Sequence, residues 1–127
     1  MSLGLDGKKR KYSIGFSFAW NGLVSVAKKE RNFRIHLLVI IMVIITGILC
    51  RLSTIEWSLI IIVIGFVLVT EMLNTVIENT IDYLNPTIHP LAKNIKDISA
   101  AAVLVAAITA IIVGIVIFLP KLIAWIN

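Results

Sequence analysis

Three apolar runs without a charged residue decide what this chain can fold into. Residues 37–50, 57–70 and 98–119 contain no Asp, Glu, Lys or Arg. A helix rises ~1.5 Å per residue, so about 20 residues cross the ~30 Å hydrocarbon layer of a bilayer. With modest flanks each run reaches that length, giving crossings over about 33–52, 55–84 and 91–119. Inside lipid every backbone N–H and C=O needs an internal partner, and a helix supplies one. The expected fold is therefore an all-α integral membrane protein with three transmembrane helices. Only 15% of residues are charged and 59% are hydrophobic, whereas a soluble domain has about a quarter charged. A soluble globular domain is excluded, and the 127 residues suit one membrane-embedded domain spanning 1–127. The lone cysteine, Cys50, closes an apolar run and reads as a small hydrophobe.

The segment before the first crossing has a different character. Phe16, Trp20, Leu23 and Ala27 recur at helical spacing, with Ser13, Ser17, Asn21 and Lys28 largely opposite them. A basic, aromatic-bearing helix with no long apolar run lies on the membrane interface, so residues 12–32 are expected to form an N-terminal amphipathic surface helix. Met1 to Tyr12 lacks an apolar h-region, so no signal peptide is expected. Eight of the twelve basic residues fall in the first 34 positions, opposed there only by Asp6 and Glu30. With membrane runs directly following, anionic headgroups and nucleotide phosphates are the expected partners, and nucleic acid is not.

The same asymmetry sets the topology. The 83–97 segment holds Lys93, Lys96 and His89, while the opposite side holds Arg51 and Lys121. Cytoplasmic loops carry the excess of Lys and Arg, which places the N-terminus and the 83–97 segment in the cytoplasm. Asn85-Pro86 through His89-Pro90 breaks the helical pattern, and Pro120 and Lys121 are expected to end the third crossing. Trp125 reads as an interface anchor.

The chemistry is concentrated in one stretch, Glu71-Met-Leu-Asn-Thr-Val-Ile-Glu78-Asn-Thr-Ile-Asp82. Glu71, Asn74, Glu78 and Asp82 are separated by three, four and four residues, so a helix sets them on one stripe. A lipid-facing carboxylate is expensive, so acids in such a segment face protein, water or a cation. For Asp82, nearest the helix end, a solvated position beyond the headgroups is an alternative. Stacked carboxylates can bind Mg²⁺, relay protons or ions, or supply a general base toward a hydroxyl. Lys93, Asn94, Lys96 and Asp97 open the next helix across the short 85–90 segment, and a helix N-terminus favours phosphate. Glu30, amid Lys28, Lys29, Arg31 and Arg34, is a further acid at the same level. The chain has no Gly-rich phosphate loop, no kinase catalytic-loop triplet and no Cys/His metal cluster, which excludes a soluble-type kinase. These residues describe a cytoplasmic-face site for a cation and an anion, and leave lipid kinase and small ion-coupled transporter both open.

The string Glu71-x-x-Asn74-Thr-x-Ile77-Glu78-x-x-x-Asp82, followed by Ala92-Lys-Asn-x-Lys96-Asp97 and a small-residue run before Val103-Leu104, resembles the prokaryotic diacylglycerol kinase family. The resemblance runs from Trp20-x-Gly22-Leu23 and Glu30-Arg-Asn-Phe-Arg34 into the third crossing. Glu30-Arg31-Asn32 and Leu91-Ala-Lys-Asn94 make it similar to the Gram-positive branch, whose members phosphorylate undecaprenol.

The resemblance implies a homotrimer of three-crossing subunits in the bacterial cytoplasmic membrane, with active sites shared between subunits. It implies ATP- and Mg²⁺-dependent phosphorylation of a lipid alcohol, undecaprenol by branch, with diacylglycerol as the alternative acceptor. By position Glu71 is the general base, with Asn74 beside it. Glu30 and Glu78 hold metal bridging the ATP phosphates, Lys96 neutralises phosphate, and Asp97 positions the nucleotide. Lys11, Phe18 and His89 fall near nucleotide contacts, although Lys11 and Phe18 stand where diacylglycerol-specific members have Arg and Tyr. Arg34, with Trp20 and Ala100, falls where the lipid is bound. A transporter using Glu71 as its ion site would need neither Glu30 nor Lys96. Small residues offer close-approach surfaces to complete the acidic stripe: Gly47, Gly65, Ser99-Ala100-Ala101-Ala102, Ala106-Ala107, Ala110 and Gly114.

Overall fold

The computed structural model describes the backbone of residues 6–84 and 90–127, with side chains from residue 15 onward in those segments. Four helices follow one another: α1 (Asp6–Lys29), α2 (Arg31–Leu49), α3 (Thr54–Leu84) and α4 (Pro90–Ile126). Among the described residues there is no strand. α2, α3 and α4 are each long and apolar enough to cross a membrane, and the protein is a multi-pass membrane protein.

Helix length separates the crossings. At ~1.5 Å per residue, the 19 residues of α2 match the hydrocarbon thickness, whereas the 31 of α3 and 37 of α4 exceed it by many ångströms. The surplus of α3 carries Glu71 to Leu84, and the first turns of α4 carry Lys93 to Asp97, so polar residues gather where the two helices overshoot. α3 packs most extensively against α4.

Local chemistry explains the joints. α1 and α2 are separated by Glu30 alone, which takes an extended conformation (φ −101°, ψ 112°) as the N-cap of α2. The break falls two residues earlier than the expected end of the surface helix. The Arg34 guanidinium donates to the carbonyls of Ala27 (3.2 Å) and Lys28 (2.7 Å), closing the frayed end of α1. At the far end of α2 the Leu52 N–H bonds to the Gly47 carbonyl and the Arg51 N–H to Ile48. Arg51 sits at φ 54°, the left-handed position that such a C-terminal motif usually gives to glycine. α3 then opens with a reciprocal capping box. The Ser53 N–H donates to Glu56 Oε2 (2.8 Å), and the Glu56 N–H donates to Ser53 Oγ (3.2 Å).

Pro120 does not end the third crossing. α4 continues through it to Ile126. Proline removes one helical N–H, and the remaining bonds of the turn carry the helix past it. The continuation also brings Lys121 Nζ within 3.2 Å of Glu56 Oε2, tying the end of α4 to the start of α3.

The interior is thin. Leu52, Ile60 and Ile117 form its apolar core, with Val43, Trp57, Ile64 and Phe118 packed around them. A Cβ on Gly47 would lie 2.7 Å from the tip of the Trp57 ring, so glycine is what lets Trp57 lie against α2. Gly65 and Gly114 have open space around them, and in this chain neither makes the close approach expected of it. Most Leu, Ile, Val and Phe side chains on the crossings point outward, as expected where hydrocarbon or another subunit is the neighbour.

Candidate active site

The buried stripe of α3 runs from apolar to acidic. Ile60, Val67 and Glu71 are its buried residues, spaced by seven and four, so Glu71 continues the face that packs into the bundle. Glu71 is 6% exposed and is the one buried carboxylate among the described residues. A charge taken out of water at this depth requires a partner. It has one, because His36 Nε2 lies 2.9 Å from Glu71 Oε1. The imidazole sits on α2, 35 residues away in sequence.

One turn further along α3, Asn74 presents a different feature. Its Oδ1 is buried and has no hydrogen-bond partner. A polar atom left unpaired in the interior costs about 1–3 kcal/mol. Asn74 lines a cavity of about 340 Å³ with Thr70, Leu73 and Ile77 of α3 and Ile98, Ser99 and Ala102 of α4. The expectation that the small residues of the third crossing lie against the acidic stripe is met here by Ser99 and Ala102. Ala106 packs tightly further along the same helix, at 1% exposed. Ala100 is exposed.

Toward the end of α3 exposure rises. Glu78 is half-buried and Asp82 is exposed. Among the described residues neither Glu78 nor Glu30 has a side-chain hydrogen bond or ion pair, whereas the exposed acids are satisfied. Asp82 pairs with Lys96 across the α3–α4 junction, and Lys93 Nζ lies 2.7 Å from Asp97 Oδ2 one turn along α4. Lys96 and Asp97 thus stand at the α3–α4 junction, each already facing an opposite charge.

The remaining expected positions separate into two groups. Glu30 is half-buried at the α1–α2 joint, next to the Arg34 that caps α1. Phe18 and Trp20, expected at the nucleotide and lipid respectively, are 69% and 59% exposed on α1. The side chain of Lys11, and His89, lie outside the described residues. Among the described residues no three metal-ligating groups converge, so Glu30 and Glu78 do not form a closed metal cage in one chain. They do fit a magnesium ion chemically. Both are hard carboxylate donors that make no ion pair among the described residues, and Mg²⁺ takes one or two carboxylates together with waters and substrate phosphates.

The residue that sequence reasoning passed over is His36. It stands immediately before the uncharged 37–50 run, two residues after Arg34. An ionisable group at the edge of a membrane helix is itself a signal of this kind.

Known proteins are similar in sequence to this chain. Residues 17–118 match the family described as prokaryotic diacylglycerol kinase. The chain is 46% identical over 112 residues to the undecaprenol kinase of Bacillus subtilis (strain 168), covering 88% of this chain and 91% of that protein. It is 36% identical over 104 residues to a diacylglycerol kinase of Pseudomonas aeruginosa, covering 81% of this chain and 83% of the relative. A diacylglycerol kinase of Escherichia coli (strain K12) is 30% identical over 95 residues, covering 75% and 78%.

Proposed function

The chain belongs to the prokaryotic diacylglycerol kinase family and is a lipid kinase, and from that premise we propose that it transfers the γ-phosphoryl group of ATP to undecaprenol. The observation that carries the site assignment is the buried Glu71, paired with His36 and one turn from the unpartnered Asn74 carbonyl oxygen. A carboxylate held in an apolar setting at the membrane boundary is placed to meet a lipid hydroxyl, which itself lies at that boundary.

The transfer follows from these positions. Glu71 takes the proton of the hydroxyl as its oxygen forms a bond to the γ-phosphorus. The bond from that phosphorus to the β,γ-bridging oxygen breaks, and ADP leaves with the electron pair. Phosphoryl transfer asks the protein for positioning and charge neutralisation more than for covalent chemistry. Asn74, which lines the α3–α4 cavity, orients the reacting groups beside Glu71. Glu30 and Glu78 hold Mg²⁺, which when bound neutralises the phosphate charge. Lys96 turns from Asp82 toward phosphate, and Asp97, with Lys11, Phe18 and His89, contacts the nucleotide. Arg34, Trp20 and Ala100 border the lipid.

Three features support a site shared between copies. Phe18 and Trp20 are largely exposed on α1, Glu30 and Glu78 make no ion pair among the described residues, and the Asn74 carbonyl oxygen is buried without a partner. The assembly proposed is a homotrimer in the bacterial cytoplasmic membrane, with the N-terminus and the active site in the cytoplasm, one kinase domain spanning 1–127. A second acceptor is favoured by the relatives that are diacylglycerol kinases. Purified protein given labelled ATP and Mg²⁺, with undecaprenol and diacylglycerol in parallel, decides between them. Label entering undecaprenol at least tenfold faster supports the reading, and the reverse order replaces it with diacylglycerol. No transfer to either lipid overturns both.

A further inference from the structure

We propose that His36 is a positioning residue for the reaction: its Nε2–H holds one oxygen of the Glu71 carboxylate and turns the other toward the lipid hydroxyl. The inference rests on the reading of Glu71 as the base and adds the group that aims it.

The geometry starts with the 2.9 Å contact between His36 Nε2 and Glu71 Oε1. Rotation about the last bond of a glutamate is soft and roughly two-fold, so a carboxylate without a fixed donor swings. A hydrogen bond to an ionised acceptor is short and strong enough to hold it. Among the described residues no fixed cation does this job instead. Lys96 faces Asp82, and Arg34 is occupied by the Ala27 and Lys28 carbonyls. Thr75 Oγ1 does bond to Glu71, but at its main-chain carbonyl, which leaves the carboxylate to His36.

The imidazole is itself held. His36 closes one end of a cavity of about 230 Å³ between α2, α3 and α4 whose other lining residues, including Val43, Ile60, Val67 and Phe118, are all apolar. No second polar group lines that cavity to draw the ring away from Glu71. The Glu71 side chain is 8% exposed and that of His36 26%, so water has little access to replace the bond. A base misplaced by about 1 Å can lose roughly a hundredfold in rate. The contact also spans α2 and α3, so the position of the first crossing relative to the second sets the aim of the base.

Substitutions that differ only in reach test this. Glutamine can place an amide N–H near the position of imidazole Nε2, and asparagine, one methylene shorter, cannot. Phosphoryl transfer is measured with undecaprenol, and with diacylglycerol in parallel, on oligomers of verified size. His36→Ala and His36→Asn should lower kcat by about tenfold to a hundredfold, with KM for ATP and for lipid within about threefold of wild type. His36→Gln should restore kcat to within about threefold of wild type. Equal kcat in the Gln and Asn variants, or wild-type kcat in His36→Ala, overturns the positioning role. If His36→Ala does not assemble, the Gln and Asn pair decides alone. Glu71→Gln serves as the control. An inactive Glu71→Gln beside a fully active His36→Ala removes this inference and leaves the base assignment standing. An active Glu71→Gln removes both.

Discussion

The two ends of the α3–α4 pair are built to different specifications. At the end marked by Leu52, Ile60 and Ile117, every device that closes a helical joint is present within one chain. A C-terminal motif ends α2, a capping box starts α3, Glu56 reaches Lys121, and Gly47 receives Trp57. At the other end Asn74 Oδ1 is buried without a partner, Glu30 and Glu78 make no ion pair among the described residues, and Phe18 and Trp20 are exposed. One end is finished by the chain's own residues. In the reading proposed above, the other is completed by substrate, metal and a second copy. Stability and function therefore occupy opposite ends, and substitutions at each should report on different quantities.

The largest expected effect is at the open end. Glu71→Gln keeps size and polarity but cannot take a proton, so kcat should fall by roughly 10²–10⁴-fold while the oligomer and its thermal transition persist. Activity within a few-fold of wild type would remove the base from the account. Next come Glu30→Ala and Glu78→Ala. A metal that bridges protein and phosphate couples their affinities, so each variant should need about tenfold more Mg²⁺ and show a raised KM for ATP together. An unchanged Mg²⁺ titration in either variant takes that residue out of the ligand set.

At the closed end the signs reverse. Gly47→Ala puts a methyl into the Trp57 ring and should destabilise the fold by about 1–3 kcal/mol, measured by thermal or denaturant unfolding in detergent. Its activity per folded oligomer should stay near wild type. Ser53→Ala removes a cap and should cost about 1 kcal/mol. Lys121→Ala breaks an ion pair that is still partly exposed and should cost no more than about 1 kcal/mol. A loss of activity larger than the loss of folded protein in these three would break the division between the ends.

The sequence carried the local features well and the non-local ones poorly. Three charge-free runs predict three crossings because a bilayer punishes charges wherever they fall along the chain. The stripe of Glu71, Asn74, Glu78 and Asp82 was legible because helical periodicity is local, and its gradient from buried to exposed follows its direction out of the membrane. The capping box Ser53-x-x-Glu56 was also readable from spacing, although it reads as a plain polar turn when only charge is considered. The pairing of His36 with Glu71 spans 35 residues and depends on how α2 leans on α3, which no periodicity encodes. The passage of α4 through Pro120 was not legible either, because one lost N–H does not end a helix whose continuation pairs Lys121 with Glu56 on another helix.

The contrast between a finished and an unfinished end makes one claim above the others, that the site at the open end needs residues from more than one subunit. Mixed oligomers test it directly. Glu71→Gln and Glu30→Ala subunits, each inactive alone, are co-assembled, their mixing is verified with two affinity tags, and phosphoryl transfer is measured on the doubly purified species. If the sites are shared, some interfaces join an intact Glu71 to an intact Glu30, and the mixture should recover a substantial fraction of wild-type activity. A verified mixture as inactive as either parent would contradict the account, because each site would then be built from a single chain.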